Sequence, residues 1–295
     1  IEGALREAMR LPASAGVYIV ERLKKLGNLF PVSTTVQEGS FSFIHEGEQV
    51  GVAITTVPTA NGEKITMRMV RHNSGVVGFS LQTLGLHGQA LEVLHEALHV
   101  KNGVVLVAGK AGSGKTTLLY TLLDHVTAPH RSVATVEQQI EFRMPQVHQT
   151  ATRPDLGLTT PAALRSVLRQ DPDVVMVSEL DSEGSAPLVL QAAERGVFFL
   201  GGVQVERAAE AFLPLLAQGV TPRMIASNVR ATVAQRVLHK LCPHADSRAL
   251  TRGEGEVLER RVRFSKVLTA LKQEGVLHEH TAWKDVVFYT AKPCN

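Results

Sequence analysis

The chain has 295 residues, 44% of them hydrophobic, which is enough to bury a sizeable core and makes two domains the expectation. Lys and Arg total 31 against 28 Asp and Glu; the net charge of +3 falls short of the basic stripe of a dedicated nucleic-acid binder, so no nucleic-acid partner is expected. Two cysteines, Cys242 and Cys294, exclude a disulfide framework and stand too far apart for a local CxxC metal clip, which favours a reducing, cytoplasmic setting. No apolar run approaches the roughly 18 to 20 residues that span a bilayer. The chain begins at Ile1 without an initiator Met, so the lack of a targeting signal carries little weight.

Residues 1–71 read as a small α+β domain. A helical stretch near Val17 to Leu26 precedes strand-like runs at Phe41 to Ile44 and Val50 to Val57. Pro58-Thr59-Ala60-Asn61-Gly62 is a hairpin turn, because Asn-Gly tolerates the positive φ that tight hairpins demand. In the second arm Ile65, Met67 and Met69 alternate with Thr66, Arg68 and Val70, which aims Arg68 away from the apolar face. Residues 72–85, with glycines and no periodicity, form a linker. From residue 86 to 295 apolar runs of strand length alternate with helical patterns: Val104 to Ala108, Val133 to Val136, Val174 to Val177 and Val197 to Leu200. Runs without polar alternation are those of parallel strands covered on both faces, so this larger domain is α/β.

The sharpest local signal is Gly109-Lys110-Ala111-Gly112-Ser113-Gly114-Lys115-Thr116, a GxxxxGK[ST] loop between the apolar strand Val104 to Ala108 and the helix-compatible Thr117 to Leu123. Its glycines let successive backbone N–H groups turn toward one anion, and the following helix offers its positive end. The nucleotide-binding set is Gly109, Ala111, Gly112, Ser113, Gly114, Lys115, Thr116 and Thr117. Lys115 would pair with the β and γ phosphates of ATP, and Thr116 would place its hydroxyl on Mg²⁺.

Downstream, the run from Leu164-Arg165 through Leu168-Arg169-Gln170-Asp171-Pro172-Asp173 to Met176-Val177-Ser178-Glu179 is similar to the LRxxLRQDPDxxMVGE signature of the motor ATPases of type II secretion and type IV pilus assembly. Thr135 to Phe142 resembles that family's Asp box, TIEDPIEF, and Thr56 to Arg68 resembles its STxPTxxGEKxxMR hairpin. Ala234-Gln235-Arg236-Val237 and Leu241-Cys242-Pro243-His244 extend the match over nearly the whole chain, with a lean toward the assembly and secretion branch. The resemblance implies a RecA-like P-loop ATPase core with a smaller N-terminal α+β (PAS-like) domain and a helical C-terminal tail. It also implies a hexameric ring, ATP bound between the two domains, and a membrane-platform partner that keeps the protein at the inner membrane. Carried over by position, Glu179 would hold Mg²⁺ and its water shell, Glu141 would orient or deprotonate the attacking water, and Arg68 would lend charge to the γ phosphate.

Several positions depart from that pattern. Gln138 and Gln139 stand where the family has Asp and Pro, Ser178 where it has Gly, Asp181 where an arginine is usual, and Gln204 at the histidine of the His box. Ala53 replaces the other arginine of the hairpin. The expectation is an ATPase that is slow or partner-dependent, the alternative being a nucleotide-binding ring or regulatory subunit that does not hydrolyse. Ala245 stands where a CPxC pair needs its second thiolate, so no zinc is expected at Cys242, which reads as a half-buried thiol. A rival in another class is His95-Glu96-Ala97-Leu98-His99, a literal HExxH of zinc proteases; Asn102 stands where the longer zincin form requires glycine.

Overall fold

The computed structural model describes residues 7–32, 34–45, 48–60, 62–71, 80–181, 184–238, 241, 246–248, 251–273 and 275–290. The chain divides into two units, Ile1–Val77 with Gln139–Pro145, and Gly78–Gln138 with Gln146–Asn295.

In the first unit, helix α1 (Ala13–Leu26) starts after Pro12 and ends with Lys24 and Lys25 in its last turn, where cations suit the helix dipole. Strands β1 (Gln37–His45), β2 (Glu48–Thr59) and β3 (Gly62–Arg71) form an antiparallel sheet in that order. Val50, Val52, Ile54 and Thr56 on alternate β2 positions are buried, and their register partners on β3 include Ile65, Met67 and Met69. Arg68 stands on the opposite face, directly across from Ala53, as the alternation predicts. Lys24, only 1% exposed, donates to the Pro31 carbonyl at 3.0 Å and pairs with Glu63 at 2.5 Å, which ties the end of α1 to the start of β3. Thr59 and Gly62 close the hairpin as register partners; Asn61 and linker residues 72–79 lie outside the described residues.

The second unit runs α2 (Gly88–Leu98), β4 (Gly103–Ala108), α3 (Lys115–Val126), β5 (Val133–Glu137), β6 (His148–Ala151), α4 (Thr160–Leu168), β7 (Val174–Val177), α5 (Ser185–Glu194), β8 (Phe198–Val203), α6 (Leu213–Ala217), α7 (Pro222–Asn228) and β9 (Val229–Ala234). Strands β4 to β9 form its main sheet, which is parallel throughout and has the order β6-β5-β7-β8-β4-β9. Strands β4, β5, β7 and β8 are buried along their whole length, which is why their sequences show apolar runs without alternation. Val104, Leu106 and Ala108 join one apolar cluster with α4 and α5, while α3 packs on β8, β4 and β7. Each fully buried Val or Leu of this core contributes about 1.5–3 kcal/mol of apolar transfer. At the N-terminal edge the Asp173 carboxylate accepts the Ser132 N–H at 2.7 Å, so part of the RQDPD run ties the start of β7 to that of β5.

The tail is not purely helical. Helices α8 (Arg252–Arg261) and α9 (Phe264–Gln273) are framed by β10 (Asp246–Arg248) and β11 (Phe288–Thr290), paired antiparallel. Trp283 stacks on Phe264 with centroids 4.0 Å apart and meets Phe288 edge-on at 5.8 Å, so it packs the tail. Three-residue strands are too short to leave a period in the sequence. Among the described residues no helix is long and apolar enough to cross a membrane.

Candidate functional site

The C-terminal edge of the parallel sheet gathers the site, as open α/β sheets do. Strand β4 ends at Ala108, the Gly109 N–H donates to the Val203 carbonyl at 3.2 Å, and the Gln235 N–H donates to the Ala108 carbonyl at 2.9 Å. The loop is thereby held between the ends of β8 and β9. Gly112 (φ 76°) and Gly114 (φ 84°) lie in the left-handed region that a side chain disfavours, and Gly114 turns the chain directly into α3. The positive end of a 12-residue helix thus faces the loop.

Lys115 is buried, and its ammonium donates to the Gly109 carbonyl at 2.6 Å and the Lys110 carbonyl at 3.4 Å. Burial lowers its pKa from the ordinary lysine value, and the Glu179 and Asp181 carboxylates oppose that. Ser113 Oγ is buried without a hydrogen-bond partner. Beside the loop lies a cavity of about 360 Å³, walled by residues 109–113 with Glu206, Gln235 and Arg236. Glu206 pairs with both Lys110 and, at 3.3 Å, Arg236, so two cations and one acid stand together in the cavity wall.

Glu179 follows β7 at the same edge. Gln204 Nε2 donates to its Oε1 at 3.0 Å and Gln138 Nε2 donates to its Oε2. Asp181 accepts the Gln204 N–H at 2.8 Å; burial raises its pKa above the ordinary value, the Gln204 bond lowers it, and Glu179 raises it further. Lys115 opens α3, and Thr116 follows it in the first turn. A hydroxyl and a half-buried carboxylate whose charge reaches Lys115 are hard oxygen donors of the kind Mg²⁺ takes beside phosphate oxygens and waters, so the residues fit that ion.

The other two residues expected to act, Arg68 and Glu141, belong to the first unit and find each other, with Arg68 Nη2 donating to Glu141 Oε1 at 2.7 Å. Glu137 lies in the run that resembles the Asp box, where the sequence assigns it no role of its own. This carboxylate is 1% exposed and accepts from the Tyr120 hydroxyl on α3, from Thr135 Oγ1 at 2.5 Å and from Gln149 Nε2 at 3.3 Å. Its place at the end of an apolar strand was the available signal. In the HExxH run, His99 Nδ1 bonds the His95 carbonyl at 2.7 Å and His95 lies edge-on to His125, with centroids 5.3 Å apart. No group of three or more His, Cys, Asp or Glu among the described residues is arranged to hold a metal. Residues 242–245 and Cys294 lie outside the described residues, and with them the expectations about a zinc knuckle and a half-buried thiol.

The sequence profile of the Type II/IV secretion system protein family matches residues 1–284. The type II secretion system protein E of Pseudomonas aeruginosa is 32% identical over 244 residues, 82% of this chain and 48% of that protein. The protein transport protein HofB homolog of Escherichia coli K12 is 35% identical over 247 residues, 83% of this chain and 53% of that protein. The chain therefore spans about half the length of these curated relatives. Among solved structures, the Legionella pneumophila ATPase DotB aligns with a TM-score of 0.58 at 19% identity over 75% of this chain and 62% of that one. The pilus retraction motor PilT with bound ADP aligns with a TM-score of 0.56 at 20% identity over 90% of this chain and 78% of that one. These likenesses establish the fold as a RecA-like α/β core with an N-terminal antiparallel-sheet domain. With a profile matched over nearly its whole length and relatives above 30% identity, the chain belongs to the Type II/IV secretion system protein family.

Proposed function

We propose that this chain is the motor portion of a type II secretion or pilus-assembly ATPase, binding MgATP at Gly109 to Thr117 and hydrolysing it to ADP and phosphate. The observation that carries the reading is the joint placement, at one sheet edge, of a glycine loop opening into α3 and of Glu179 within the electrostatic reach of Lys115. Phosphoryl transfer is mostly positioning and charge stabilisation. Loop N–H groups and the α3 N-terminus hold the phosphates, and Lys115 leaves its carbonyl partners for the β and γ oxygens. Thr116 and Glu179 would hold Mg²⁺, which when bound would supply positive charge at the phosphates. Glu141 orients or deprotonates the attacking water, and Arg68 offsets the charge that gathers on the γ phosphate. In this reading the chain works within a homo-oligomeric, hexameric ring docked on an inner-membrane platform protein and drives pilin or pseudopilin assembly from the cytoplasmic side.

Turnover is slow or partner-dependent, because Arg68 and Glu141 occupy each other and Ala53 leaves Arg68 without a second arginine across the strand. That same pairing favours the second reading, a nucleotide-binding ring or regulatory subunit that does not hydrolyse. Steady-state phosphate release separates them, measured for the native protein, Glu141→Gln and Lys115→Ala, with and without the platform partner. The ATPase reading expects a native rate that the partner raises and both substitutions abolish. Equal rates for all three proteins in both conditions remove it.

A further inference from the structure

We propose that Gln138 and Gln204 are positioning residues that clamp the Glu179 carboxylate from both sides and set how strongly bound nucleotide responds to Mg²⁺. The inference rests on the nucleotide-site reading above and adds residues to which that reading gives no role.

Gln138 is the first residue after β5 and Gln204 the first after β8, and β7 lies between those two strands. The acid that follows β7 is therefore flanked by one amide from each neighbouring strand end. Gln138 Nε2 donates to Glu179 Oε2, and Gln204 Nε2 donates to Oε1 at 3.0 Å. Each glutamine also grips the turn after β7 through its own backbone, the Gln138 N–H donating to Ser178 Oγ at 3.3 Å and the Gln204 N–H to Asp181 Oδ2 at 2.8 Å. Four positions that depart singly from the sequence signature, 138, 178, 181 and 204, thus form one hydrogen-bonded unit around the acid.

The chemistry of this unit differs from an ion pair. One amide donor on each carboxylate oxygen fixes the plane of the group and leaves each oxygen a further lone pair for a water or a cation. A neutral amide also leaves the negative charge uncompensated, so the charge still acts on Lys115 and on a cation at the phosphates. A cationic partner at 138 or 204 would hold the acid as firmly while cancelling its field. Both glutamines are exposed, so the clamp is not an incidental product of core packing.

The test is equilibrium binding of a fluorescent, non-hydrolysable ATP analogue, in EDTA and across a Mg²⁺ titration. The proteins are native, Gln138→Leu and Gln204→Leu, each also built on Glu179→Gln. Each single substitution is expected to raise the Mg²⁺ concentration for half-maximal tightening about three- to tenfold, the scale of one ordinary hydrogen bond at a solvent-exposed site. Affinity in EDTA should stay at the native value, which shows that the loop is intact. In the Glu179→Gln background both effects should disappear, because the residues act only through that carboxylate. Unchanged Mg²⁺ response in both single variants overturns the clamp, as do effects of the same size without the Glu179 carboxylate. Failure of the native protein to bind the analogue removes the nucleotide reading itself, and the clamp's role with it.

Discussion

Gly202 in β8 is where the fold bears most directly on the position of Glu179, and replacing it with alanine gives a sharp prediction. A Cβ at that position would stand 2.1 Å from the Ser178 carbonyl oxygen and 3.1 Å from its carbon, where ordinary contact begins at 3.4 Å. The obstructing atom is main chain and has no rotamer to escape into, and the turn that carries it is anchored to β8 by the Leu180 N–H donating to the Gly202 carbonyl at 2.8 Å. More than an ångström must then come from parting β8 from the end of β7. Overpacking of this kind costs about 1–3 kcal/mol, and more when backbone has to move. At about 2–4 °C per kcal/mol for a chain approaching this size, Gly202→Ala should lower Tm by about 5–10 °C in a thermal melt. Because Ser178 precedes Glu179, the Mg²⁺-dependent tightening of nucleotide should fall in the surviving folded protein, while binding in EDTA holds. A Tm within about 1 °C of native, with an unaltered Mg²⁺ response, would refute the close approach of the two strands.

Three other substitutions probe separate parts of the structure. Tyr120→Phe removes a hydroxyl from the buried Glu137 carboxylate and should cost about 1.5–3 kcal/mol in urea denaturation; a loss below about 0.5 kcal/mol would mean that the acid is satisfied without it. His125 is held below the ordinary histidine value of 6.5 first by burial and then by His95 and His99, against the opposing pull of Asp124. The unfolded chain therefore takes up the proton more readily, and the stability this provides is present above pH 6.5 and lost as pH falls through the folded-state value. His125→Gln should flatten the fall in Tm between about pH 7 and 5, and parallel Tm profiles would contradict the assignment. Arg68→Ala should lower turnover at least about a hundredfold, given what arginine charge contributes to phosphoryl transfer, while stability changes by no more than about 1 kcal/mol because the Arg68 side of its ion pair with Glu141 is exposed. Native turnover in that variant would remove Arg68 from the chemistry.

The parts of the fold legible in the sequence are those where one cause dominates. Strands β4, β5 and β7 are covered on both faces, so apolar bulk dominates them, with Thr135 and Glu137 of β5 as exceptions, and their runs stand out. The end of β8 did not stand out, because Gly201-Gly202 reads as a breaker; the glycines are there because the strand presses on Leu180 and Ser178. Edge strand β6, His148–Ala151, is polar and part-exposed and leaves no period, and the β10–β11 ladder is too short to do so. At the candidate site, the loop stands out in the sequence because its motif sits between an apolar run and a helical pattern, which are β4 and α3 in the structure. Gln138 and Gln204 could be read only as departures, since it is the strand order that brings them to one carboxylate. The burial of Glu137 is not legible from its own stretch of chain, because Tyr120 and Gln149 from other elements close over it. The Arg68 and Glu141 pair, 73 residues apart, turns two separately expected actors into mutual partners, which no spacing rule foretells.

The most direct measurement is equilibrium binding of a fluorescent ATP analogue to the native protein and to Lys115→Ala. The native protein should bind saturably and more tightly with Mg²⁺. Loss of the loop ammonium should weaken that affinity at least about tenfold, as expected for a charge-assisted contact to phosphate. Equal affinity in the two proteins, or no binding by the native one, would contradict nucleotide binding at Gly109 to Thr117.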